Sequence, residues 1–67
     1  MIYKTIVVEA TFESGLVLGG LRSHLAANGS GELNAKRSFL DGYAEVEVSV
    51  YNPLVMSYVE DKLAAFV

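Results

Sequence analysis

Glu45 and Glu47 are the pair of residues whose types and spacing first suggest chemistry. At i and i+2 on a strand they share a face and lie roughly 7 Å apart. That separation overlaps the range of paired carboxylates that cleave glycosidic bonds. The reaction also needs a cleft enclosing a sugar, which 67 residues around a small sheet cannot easily build. An alternating, solvated strand accounts for both glutamates. His24 is the single histidine, and so the one base available to a serine nucleophile. Ser23 beside it points about 100° away on a helix, so their adjacency carries nothing. A partly exposed helical histidine is the plain reading. With no cysteine, metal-ligand sets reduce to carboxylates, and Asp41-Gly42 lacks the series of acidic ligands of a calcium loop. No catalytic residue, metal or cofactor is expected.

Other motifs are weaker. Gly29-Ser30-Gly31-Glu32-Leu33-Asn34 begins like a dinucleotide-binding fingerprint. It ends in asparagine and follows a helix stop rather than a strand, so its context fails. Asn28-Gly29-Ser30 fits the glycosylation sequon but reads as a helix-ending turn. Lys36-Arg37, with Arg22 and His24, offers one small basic patch. Five bases against eight acids, a net charge of −3, give a weak electrostatic footprint for nucleic acid. Charge on a hairpin strand serves more often to protect a sheet edge.

The remaining constellation is tyrosine with acid. Tyr43, Glu45, Glu47 and Tyr51 fall on one face of a single segment. Tyr3 joins them if the first and last strands lie side by side. Tyrosine brings large contact area and a polar tip, which suits interfaces. These five residues form the candidate partner-binding surface.

The elements that must position them can be read from periodicity. Residues 2–12 (IYKTIVVEATF) are rich in β-branched and aromatic types and predict a strand. Ile2, Ile6, Val8, Ala10 and Phe12 share one face, with Lys4 the exception. Residues 13–28 carry Leu18, Leu21 and Leu25 at helical spacing. Ser14 is a candidate cap, and Asn28-Gly29 a stop. Gly15, Gly19 and Gly20 oppose a helix there. The alternative is a turn at 13–15, a short strand at 16–18 and a helix from 20 to 28. In the favoured helix, Gly15, Gly19 and Ser23 line one side and would allow close approach to a neighbouring element.

After a flexible Gly29-Ser30-Gly31 link, residues 32–39 and 43–51 form a hairpin about Asp41-Gly42. Ala44, Val46, Val48 and Val50 alternate strictly with Tyr43, Glu45, Glu47, Ser49 and Tyr51, so one face should be buried. Asn52-Pro53 is a good helix start. Val55, Val59, Leu63 and Phe66 then stripe a helix over 53–66. The order βαββα defines a single α+β domain over 1–67, a three-stranded, largely antiparallel sheet with two helices packed on one face.

Composition narrows function. An apolar fraction of 52% excludes a disordered chain. A domain of this size buries only about 60% of its unfolded surface, so a covering partner or self-association is expected. No segment reaches the length of a membrane span. Met1-Ile2-Tyr3-Lys4-Thr5 lacks the pattern of a signal peptide. The expected location is cytoplasmic or within a viral particle. The expected function is a non-enzymatic adaptor, inhibitor or regulator that binds a larger protein through its sheet face or edge. Chains of this size are common among phage and mobile-element effectors. The alternatives are a structural subunit of a homomeric or mixed assembly, such as a virion component, and a nucleic-acid binder using the small basic patch.

Overall fold

The computed structural model describes residues 1–37 and 42–67. Strand β1 spans Ile2–Glu9, helix α1 Phe12–Asn28, β2 Gly31–Arg37, β3 Tyr43–Val50 and α2 Pro53–Leu63. A 3-10 turn over Ala64–Phe66 follows α2. The sheet order is β1-β3-β2 with both pairings antiparallel. This is the expected βαββα domain, and the two longest strands are neighbours.

The start of α1 differs from the sequence expectation. Thr11 is the N-cap, and its side chain accepts the Ser14 N–H at 3.0 Å. Ser14 Oγ in turn accepts the Thr11 N–H at 2.8 Å. This reciprocal capping box satisfies donors that a helix start leaves orphaned. Ser14 is therefore the third helical residue rather than the cap, and its buried hydroxyl also donates to Thr11 O. Strand β1 consequently stops at Glu9. Phe12, expected on the strand's inner face, is instead a helical residue and 82% exposed. The hairpin alternative for 13–19 is not formed, because α1 is continuous.

At its other end α1 closes with Gly29 in the left-handed region at φ 61°. The Gly29 N–H donates to Ala26 O and the Ser30 N–H to Leu25 O, a Schellman arrangement. Helix α2 begins as expected, with Asn52 Oδ1 accepting the Leu54 N–H at 2.8 Å and Pro53 in the first turn. Of the turn expected at Asp41-Gly42, Asp41 lies outside the described residues. Gly42 has φ 90° and its carbonyl accepts the Ala10 N–H.

Both helices cover one side of the sheet. The core gathers Val8, Leu33, Val46, Val48 and Val50 from the strands with Leu18, Leu21 and Leu25 from α1 and Met56, Val59 and Leu63 from α2. Ile2, Ile6, Val17, Ala44, Val55 and Phe66 pack around it. Lys4 breaks the inner row of β1 because its ammonium reaches Glu60 Oε2 on α2 at 2.8 Å. The close approach expected along Gly15, Gly19 and Ser23 is absent. All three are exposed, and a Cβ added at either glycine meets nothing within 4 Å.

Candidate functional site

The helices leave the other side of the sheet bare, and register fixes what stands on it. Side chains alternate across a strand, so residues directly opposite one another share a face. The outer face is built in rungs across β1, β3 and β2: Tyr3, Ser49 and Glu32; Thr5, Glu47 and Asn34; Val7, Glu45 and Lys36. Glu9 stands opposite Tyr43 at the end of β1. Tyr3, Tyr43, Glu45 and Glu47 are therefore brought together as expected from sequence. Tyr3 is 59% and Tyr43 45% exposed. Tyr51 is exposed too, but it lies one residue beyond β3, in the bend before α2, where its N–H donates to Ser30 O.

Glu47 is the hub of this face. The Tyr3 hydroxyl donates to Glu47 Oε2 at 2.8 Å, Thr5 Oγ1 lies 3.4 Å from the Tyr3 hydroxyl, and Lys36 Nζ ion-pairs with Glu47 Oε1. One carboxylate thus ties all three strands through side chains. The Lys36 ammonium, and then the Tyr3 hydroxyl, hold the Glu47 carboxyl below the usual carboxylate range. The hydrogen bond to Glu47 pushes the Lys36 ammonium above its ordinary value. A general acid working near neutral pH needs the opposite displacement, so Glu47 is tuned as a fixed anion. Among the described residues, Glu9, Glu32 and Glu45 also stand on this side with Lys36 as the base, so the face is net acidic.

The remaining candidates are dispersed. His24 is exposed, with the Tyr58 ring 5.6 Å away and Asn28 Nδ2 at 3.4 Å from Nδ1. Among the described residues no serine hydroxyl hydrogen-bonds to it. The Asn28 amide turns back to donate to His24 O at 2.8 Å, as a helix-ending residue does. Of the basic patch, Lys36 is engaged by Glu47 and Arg22 Nε donates to Leu33 O at 3.0 Å. Among the described residues no group of three or more His, Cys, Asp or Glu side chains is placed to hold a metal ion. No helix there is long and apolar enough to cross a membrane.

Two features escaped the sequence reading. A groove lies along β1, lined by Lys4, Ile6 and Val7 from the strand and by Glu60, Ala64 and Val67 from the C-terminal segment. Exposed Phe12 and Leu16 form a second apolar surface on α1. Their i, i+4 spacing is the sequence signal for it, visible only with Phe12 on the helix rather than on the strand. The fold and this bare, acidic, tyrosine-bearing face define a small α+β domain with an open sheet surface. No family model matches the chain, and neither a curated protein nor a solved structure matches it.

Proposed function

We propose that this chain is a small interaction module, an adaptor, inhibitor or regulator, that binds a larger protein through the outer face and edge of its sheet. The observation that carries this reading is the helix-free face itself, where exposed Tyr3 and Tyr43 flank Glu45 and Glu47. Aromatic area with a polar tip is characteristic of interface cores. The acidic balance favours a basic partner and steers its approach.

Paired affinity captures test the reading. The wild-type chain and a Tyr43→Ala/Glu45→Lys variant serve as baits, and a Phe12→Ser variant controls for non-specific apolar capture. A protein enriched by the wild type and the control, but lost with the face variant, is the expected result. An identical set from all three baits rules out the face.

A subunit of a larger assembly is the second reading, supported by α1. Phe12 and Leu16 are 82% and 62% exposed on a helix whose opposite side is already buried. A self-assembling chain would cover them.

A further inference from the structure

We propose that the open edge of β1 is a strand-addition site, and that its occupant is an extended segment of a partner protein alternating basic with small apolar side chains. The proposal rests on the interaction reading above and names the chemistry of the partner.

The two edges of the sheet are not equivalent. Along β2, α1 packs over the strand, and the Arg22 guanidinium donates to the main-chain carbonyl of Leu33. Along β1, among the described residues, no side chain hydrogen-bonds to the main chain of Ile2–Val8. This edge is eight residues long and contains neither proline nor glycine. An unpaired edge of that length is a template for another strand.

The groove beside β1 specifies what such a strand must carry. A strand added about 4.8 Å from β1 directs alternate side chains to the two sides of the sheet. On the helix side they meet Ile6, Ala64 and Val67, which suit small apolar groups. Lys4 also points to that side and is held by Glu60. An inward charge on an edge strand disfavours indiscriminate pairing, so the added strand must leave the Lys4–Glu60 pair in place. On the outer side the added residues meet Tyr3, Thr5, Val7 and Glu9. Glu9 is the one charged residue of that row, and exposed Glu45 stands on the adjacent strand, whereas Glu47 is already paired with Lys36. Charge complementarity on this side calls for lysine or arginine. A second copy of the chain fits less well, because it presents the same Glu9 and repeats the net charge of −3.

The test uses the full, isotope-labelled chain and two end-blocked synthetic octapeptides, one alternating lysine with valine and the other glutamate with valine. With the lysine peptide, alternate main-chain amides of Ile2–Glu9 are expected to shift and to exchange with solvent about tenfold more slowly. Binding should weaken with added salt, and the glutamate peptide should bind about tenfold less tightly or worse. Glu9→Lys, a change at an exposed position, should weaken the lysine peptide without altering the fold. Equal binding of both peptides overturns the basic chemistry. Shifts confined to Tyr43, Glu45 and Glu47 overturn the edge site but leave the face reading standing. Protection of β1 amides that grows with protein concentration alone assigns the edge to a second copy and also overturns the proposal. An absence of shifts with either peptide overturns it as well, whereas the face reading stands or falls by the capture experiment.

Discussion

At Glu47 one carboxylate joins β1 and β2 through β3, so its ionisation should be visible in stability. Its pKa is lowered in the folded chain, first by the Lys36 hydrogen bond and then by Tyr3. A depressed carboxylate stabilises the fold above its unfolded pKa, and that contribution disappears as pH falls through the folded value. Lys36 is raised, so its share is complete below its unfolded pKa and is lost as pH rises through the folded one. The tie is therefore whole across neutral pH. In thermal melts, the gap between wild type and Glu47→Gln should stay constant from neutral pH down to about 5, then close below ~4. A gap unchanged at the lowest pH would show that the tie contributes no proton-linked stability. One residue along, Val48 is fully buried between Lys4 and Leu33 in the register. An aspartate there costs several kcal/mol, comparable with the roughly 3–5 kcal/mol a core of this size supplies. Val48→Asp should show no cooperative melt by circular dichroism, whereas Glu47→Lys should fold and lose only its outer-face contacts. The reverse outcome would mean the two faces are exchanged.

Among the elements, glycine separates what the backbone requires from what it tolerates. Gly31 opens β2 at φ 154°, and an added Cβ would overlap the Ser49 carbonyl oxygen. Gly31→Ala should lose about 2 kcal/mol or more, through strain and a displaced β3. Gly19 sits in mid-helix with open space around it, and Gly19→Ala should gain about 0.5–1 kcal/mol. Differential scanning calorimetry reads both, at about 4–8 °C per kcal/mol for a domain this small. A loss at Gly19 would show that something outside the chain needs the missing Cβ. The same elements show what the sequence could express. The strict alternation of Tyr43–Val50 and the Asn52-Pro53 start of α2 were legible because each signal is local and chemically unambiguous. The beginning of α1 was not. Serine stands where a capping box usually carries glutamate, so Thr11-Phe12 reads as the end of a strand and Ser14 as the cap. Tyr3, Tyr43, Glu45 and Glu47 were legible from parity alone, given that the two longest strands are neighbours. The Lys36–Glu47–Tyr3 tie was not, because it depends on register between segments far apart in sequence. The groove beside β1 was hidden for the same reason, since Ala64 and Val67 reach it only through the placement of α2.

For the whole molecule, the question is which apolar surface stays in water. Light scattering over a hundredfold range of concentration should return the monomer mass if α1 is unoccupied. Under the assembly reading it should return a discrete larger mass that Phe12→Ser/Leu16→Ser lowers to the monomer. Because both side chains are exposed, that double variant should melt within a few degrees of the wild type in either case. The strand at the centre of the sheet is β3, and its partners in β1 run from Ile2 opposite Val50 to Glu9 opposite Tyr43. The β2–β3 hairpin closes locally and fast, whereas β1 must be joined across most of the chain. During synthesis, β1 emerges ahead of the strand it pairs with. Until β3 follows, Ile2, Ile6 and Val8 wait without cover, open to a chaperone or a protease.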